Sequence, residues 1–135
     1  MAYRISNIDP LDLQARKAVG VSIPFSADGV FNQTYQTSEA IKNNIINFIL
    51  TGKGERYMNV GFGSSIRNYL FEQINTTDLQ ALEQSTRESI ELNFPRVTIN
   101  QLSISPDHDR NSIFFKIGYS VKQTNIADSI SINFI

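Results

Sequence analysis

Ile113-Phe114-Phe115-Lys116-Ile117-Gly118-Tyr119-Ser120-Val121 decides the fold of this chain. Ile113, Phe115, Ile117, Tyr119 and Val121 alternate without a break with Phe114, Lys116, Gly118 and Ser120. A period of two places successive side chains on opposite faces of a pleated strand, so one face is apolar and the other mixed. Upstream, Val97 and Ile99 alternate, and Leu102 and Ile104 then alternate in the opposite phase, which predicts a bulge near Asn100-Gln101. Pro106 to Asn111 is a polar turn, and Thr124 to Asp128 turns the chain again. Ile130, Ile132 and Phe134 form a last strand. The final forty residues therefore read as a three-stranded antiparallel meander.

Helices precede it. Ser38 suits an N-cap and Glu39 the positive end of a helix dipole, ahead of the stripe Ile41, Ile45, Phe48 and Ile49. Gly52 and Gly54 end that helix, and Glu55 to Val60 reads as extended. Gly61 and Gly63 around Phe62 predict a tight turn, after which Ser64 or Ser65 caps a short helix carrying Ile66, Tyr69, Leu70 and Ile74. Thr77 with Gln80 fits a capping box. It opens a helix with Leu79, Leu82, Thr86 and Ile90 on one side and Glu83, Arg87, Glu88 and Glu91 on a solvated side, and Pro95 stops it. Near the start, Val19, Val21, Ile23 and Phe25 alternate as a short strand limited by Pro24, and Ser26 to Gln36 reads as a loop. The expected fold is α+β, one domain over residues 19–135 with helices on one face of a small, mainly antiparallel sheet. Residues 1–18 form an N-terminal arm with one helical turn around Leu11 to Lys17.

Composition narrows the chemistry. Lys plus Arg number 12 and Asp plus Glu 13, giving a net charge of -1, so the basic excess of a nucleic-acid binder is missing. Without cysteine the chain has no disulfide, thiol nucleophile or thiolate metal site. No segment approaches the ~18 apolar residues of a membrane span, no helix has an interfacial pattern, and Met1 to Pro10 does not resemble a signal peptide. A soluble protein with no membrane partner is expected. The single histidine, His108, sits between Asp107 and Asp109 in the polar turn, where a solvated hairpin explains it better than a metal site. Thr51-Gly52-Lys53-Gly54 follows a helix instead of opening one, so it is not a phosphate loop. Among Glu55, Glu72, Asp78, Glu83, Glu88 and Glu91 no pair stands out for glycoside hydrolysis. Catalytic residues, metals and cofactors are therefore not expected. What remains is surface for proteins. The last strand lacks the Lys, Arg or Pro that normally blocks an edge, which invites strand addition unless the strand is covered. Phe31, Tyr35, Tyr57 and Phe62 lie in loop-like stretches, as exposed anchors or as core satellites.

The stretch from Ile45 to Arg96 resembles the phage baseplate wedge family of gene product 25, the GPW family, which includes a baseplate-like subunit of type VI secretion systems. The resemblance rests on Leu50-Thr51-Gly52-Lys53-Gly54-Glu55-Arg56, on Phe62-Gly63, on Leu70-Phe71-Glu72 and on Phe94-Pro95-Arg96, in that order. Ile23-Pro24-Phe25 and Asp28-Gly29 are similar to the family's opening strand and turn. Val60 stands where the family usually has proline, and Phe94 replaces the acid of a Glu-Pro-Arg triplet. The resemblance implies a non-enzymatic inner-ring subunit of a contractile-tail baseplate, located in the virion and assembled in the host cytoplasm. It would initiate the tail sheath by strand addition, and its partners would be other wedge proteins, the sheath protein, and tube or hub proteins. Implied contact residues are Glu55, Arg56, Phe62, Pro95 and Arg96, with Ile130, Ile132 and Phe134 on the last strand. The alternative is a lysozyme-like cell-wall hydrolase, because part of the family carries that label.

Overall fold

The computed structural model describes residues 10–13, 17–23, 32–69, 76–107, 109–110, 112–124 and 126–134. A 3-10 turn, Pro10–Leu13, precedes two short strands, β1 (Gly20–Val21) and β2 (Gln33–Thr34), which pair antiparallel. Three helices follow, α1 (Thr37–Leu50), α2 (Ile66–Tyr69) and α3 (Thr76–Asn93). The chain closes with β3 (Val97–Asp107), β4 (Ser112–Val121) and β5 (Ala127–Phe134) in the spatial order β3-β4-β5, all antiparallel. This is the α+β arrangement with a C-terminal meander that the alternation predicts.

One core joins the helices to the sheet. Ile45, Phe48 and Ile49 of α1, Ile66 of α2, and Leu82 and Ile90 of α3 meet Ile113, Phe115, Ile117, Tyr119 and Val121 of β4. Each is nearly or fully buried, and each such side chain contributes roughly 1.5–3 kcal/mol of hydrophobic stabilisation. The predicted bulge is present, with the β3–β4 register shifting between Ile99 and Gln101.

Several local expectations change. α1 begins one residue before Ser38, and its N-cap, Gln36, makes no side-chain cap bond. Asp12 does that work from the 3-10 turn. Its Oδ1 accepts the Thr37 backbone N–H at 2.8 Å and the Thr37 hydroxyl at 2.7 Å. A carboxylate there satisfies an orphan amide and meets the positive end of the helix dipole. The helix ends at an extended Thr51, not at a glycine, and Glu55 to Val60 is a run of turns instead of an extended segment. The first strand is short, as Pro24 leads one to expect, but its partner β2 lies inside the predicted loop. β3 runs through Pro106 to Asp107, so the polar turn starts later than expected. Pro24, Phe25, Asp28-Gly29, Phe31, Leu70-Phe71-Glu72, Ile74 and His108 lie outside the described residues, as does the Thr77 side chain.

Candidate functional site

The two borders of the C-terminal sheet differ, and two bonds beside the turns reveal how. Val121 N–H donates to Ile126 C=O at 2.9 Å, and Lys122 N–H donates to Arg96 C=O at 2.7 Å. In an antiparallel pair, hydrogen-bonded and non-bonded residue pairs alternate. Carried along the register, odd-numbered residues of β4 therefore bond to β5 and even-numbered ones to β3. It follows that the main-chain groups of Ala127, Ser129, Ser131 and Asn133 point away from β4, and so do those of Val97, Ile99, Leu102, Ile104 and Pro106 on the opposite border.

The β3 border is guarded. Arg87 of α3 donates from Nη1 to Ile99 C=O at 3.0 Å, and Glu83 Oε1 accepts Ile104 N–H at 3.1 Å. Pro106 stands at an outward position, where its missing N–H costs no ladder bond and denies a donor to any incoming strand. Among the described residues the β5 border has one such guard: Ser129 N–H donates to Asp128 Oδ1 at 2.7 Å. That bond has the largest influence on the Asp128 carboxyl and, helped by the Lys42 ion pair at 3.0 Å, holds it below its ordinary range against the opposing effect of desolvation. Among the described residues, β5 pairs with β4 alone and no hydrogen bond reaches the outward groups of Ser131 and Asn133.

A second feature is the loop between α1 and α2. Gly52 and Ser64 form a parallel bridge, Ser64 N–H donates to Thr51 C=O at 2.8 Å, and the Ser64 hydroxyl donates to Ile49 C=O at 2.6 Å. Gly63 makes this closure possible. Its φ is +120°, and a Cβ there would lie 2.6 Å from the Thr51 carbonyl oxygen. The closed base presses Phe62 edge-on to Phe48, with ring centroids 5.0 Å apart, while Phe94 meets the same Phe48 ring at 5.7 Å. The Arg56 guanidinium covers the Phe62 ring at 3.8 Å, a cation–π contact. Glu55 pairs with Arg67 at 3.1 Å, not with Arg56.

The predicted contact residues thus separate into groups. Glu55, Arg56 and Phe62 belong to the loop, Phe62 half-buried as a core satellite and both charges exposed. Pro95 and Arg96 are exposed and line an apolar groove of about 210 Å³ with Thr37, Ile41, Asn44 and Phe94. Ile130 and Phe134 are core residues, and Ile132 is half-buried, so β5 keeps these side chains inside. Tyr35 and Tyr57 are exposed. Glu83 and Arg87 escape sequence reasoning because their i,i+4 spacing matches a solvated helix face.

Residues 35–126 match the family model described as Baseplate wedge protein gp25. The chain belongs to this family. The gp25 wedge family assignment accords with the resemblance carried by the Leu50 to Arg56, Phe62-Gly63 and Pro95-Arg96 motifs. Baseplate wedge protein gp25 of Enterobacteria phage T4 is 26% identical over 82 residues, 61% of this chain and 62% of that protein, so the chain aligns with somewhat less than two thirds of that relative's length. A Geobacter sulfurreducens crystal structure, provisionally described as a tail lysozyme, is 30% identical with a TM-score of 0.61, over 70% of this chain and 86% of that one. A chain of the anti-feeding prophage baseplate has the same fold, at 22% identity and a TM-score of 0.54 over 84% of this chain and 81% of that one. In this member of the family, Phe94 takes the place of the acid expected from the resemblance and packs against Phe48.

Proposed function

We propose that the chain is a structural subunit of a contractile-tail baseplate wedge, resident in the virion, assembled in the host cytoplasm, and that its β5 border receives a strand from the first ring of tail sheath. The observation that carries this reading is the asymmetry of the sheet. Unpaired edges template association with other chains, and folded proteins normally block them. Here one border is blocked by Arg87, Glu83 and Pro106, while on the other no described residue bonds to the outward groups of Ser131 and Asn133. An incoming strand bonds to these two residues, and its inward side chains complete the burial of half-buried Ile132. The order of the sheet thus determines the direction of growth.

Residues 19–135 act as the wedge domain, and the arm of residues 1–18 is fastened to it at Asp12. Glu55, Arg56 and Phe62 on the loop, with Pro95 and Arg96 beside it, contact other wedge proteins, and tube or hub proteins are further candidates. Arg96→Ala is expected to leave the fold intact and to weaken wedge incorporation. A variant that unfolds marks Arg96 as structural instead.

Ser131→Pro tests strand addition. The Ser131 N–H points outward, so proline removes no bond to β4, whereas proline at Ile132 breaks the ladder. Ser131→Pro is expected to fold, to enter wedges, and to stop before sheath growth. Full-length sheaths on wedges carrying this variant contradict the reading. Removing β5 is a poorer test, because Ile130 and Phe134 belong to the core.

The tail-lysozyme description of the 30%-identical chain supplies the competing reading. A glycosidase needs an acid with a raised pKa beside a second carboxylate. In this chain Asp128 shifts downward, Glu83 holds a strand amide, and Glu55 is paired with Arg67. The purified chain is expected to leave a peptidoglycan zymogram uncleared. A cleared band that survives Glu83→Gln and Glu55→Gln yet needs a different carboxylate establishes the hydrolase.

A further inference from the structure

The loop from Gly52 to Ser64 holds its base tightly, and among the described residues nothing covers its tip. Tyr57 is 96% exposed, Met58 91% and Val60 65%. Turn tips usually carry Asn, Asp, Ser or Gly, which suit the backbone and face water without cost. Here an aromatic, a thioether and a branched aliphatic side chain share one short tip. Tyr and Met are enriched in the centres of protein interfaces, where they fill pockets. The loop is also well ordered for such a role. Besides the Gly52–Ser64 bridge, Gly54 N–H donates to Val60 C=O at 3.0 Å, Phe62 N–H donates to Asn59 C=O at 3.1 Å, and Phe62 is wedged between Phe48 and Arg56. A loop already held in place loses little freedom when it docks.

Charge defines the partner further. Lys53 and Arg56 flank the tip and are exposed, whereas Glu55 is neutralised by Arg67. The flank is therefore cationic. We propose that Tyr57, Met58 and Val60 form a preformed plug that seats in an apolar socket with an acidic rim on a neighbouring protein of the baseplate. The inference rests on the baseplate reading and deepens it, naming the tip of the loop that carries Glu55, Arg56 and Phe62 as the part that docks and the chemistry of what receives it. A lipid surface fits less well. Three apolar side chains interrupted by Asn59 offer less apolar surface than a single myristoyl chain, which by itself gives only marginal membrane binding.

The test compares the purified full-length chain with purified tails that contain it. Met58 sulfoxide formation under dilute peroxide is followed by peptide mass spectrometry. Met58 is expected to oxidise at least tenfold more slowly in tails than in the free chain. A photo-crosslinking phenylalanine analogue at position 57 is expected to join a different tail protein at an apolar segment bordered by Asp or Glu. Equal oxidation in both states overturns the proposal, as does a cross-link to a second copy of this chain, or co-sedimentation of the free chain with phosphatidylglycerol vesicles that Met58→Ser abolishes. The double variant Tyr57→Ser/Met58→Ser should keep the denaturation midpoint and enter tails at least tenfold less well. Normal entry overturns the proposal, while the baseplate reading stands or falls on detecting the wild-type chain in tails and on Ser131→Pro.

Discussion

Three of the four glycines in the loop from Gly52 to Ser64 separate the costs of conformation and of contact. Gly63 has a φ of +120°, and an added Cβ would lie 2.6 Å from the Thr51 carbonyl oxygen and 2.9 Å from the Gly52 carbonyl carbon. Gly54 has a φ of +88°, but its Cβ position is open, with no atom within 4 Å. Gly61 has open space and no positive φ. A left-handed conformation costs an L-residue roughly 1–2 kcal/mol, so Gly54→Ala should destabilise by about that much. Gly61→Ala should be neutral or stabilising by up to about 1 kcal/mol, because alanine narrows the unfolded ensemble. At Gly63 the conformational cost is joined by a clash with backbone that is itself fixed. Relieving it means opening the Ser64–Thr51 bond, which adds roughly 1–2 kcal/mol. Gly63→Ala should therefore cost about 2–4 kcal/mol, a large share of the ~5–15 kcal/mol that holds a domain together. Urea denaturation of the three variants measures the series directly. If Gly63→Ala is no worse than Gly54→Ala, the loop is not closed as described, and the preformed Tyr57–Met58 tip loses its basis.

Other predictions follow from single contacts. Asp12→Ala removes the distant cap of α1 and should cost about 1–2 kcal/mol in chemical denaturation, while Ser38→Ala should change little. The Tyr119 hydroxyl is buried with no hydrogen-bond partner among the described residues, and burial, with Asp128 nearby, pushes its pKa up to about 12. The folded state therefore keeps its proton where the unfolded state loses it, so stability contributed below pH ~10 is lost as pH rises toward 12, by about 3 kcal/mol in all. Tyr119→Phe should be no less stable at neutral pH and should lack this part of the alkaline loss, measured as denaturation midpoints across pH. The double variant Glu83→Ala/Arg87→Ala leaves Ile99 C=O and Ile104 N–H without their partners, and light scattering should show concentration-dependent association through the unguarded β3 border.

Strict alternation in β4, the phase change in β3 and the stripe of α1 were legible because each is a local repeat that burial enforces. The family, too, was legible, through motifs that lie close together in the chain. The features that define the site were not, for three physical reasons. Asp12 caps a helix from a distant point of the chain, and spacing within the helix favours Ser38. Glu83 and Arg87 lie at the solvated spacing of α3, and only the path of a bulged strand beside that helix turns them into guards. Which residues of β5 face outward depends on the bonding parity of the ladder, which two turn bonds establish and side-chain alternation alone does not. Tyr57, Met58 and Val60 suggest an extended segment by composition, yet the bridge between Gly52 and Ser64 folds them into a tip.

Amide hydrogen exchange at Ser131 and Asn133 is the most direct probe of the β5 border. In the isolated chain these amides should exchange rapidly, while Ile104, bonded to Glu83, exchanges slowly. In assembled contractile tails the peptide spanning Ser131 and Asn133 should become strongly protected. Slow exchange at both residues in the isolated chain, or continued rapid exchange in complete tails, would contradict a sheet that grows by taking a sheath strand at this border.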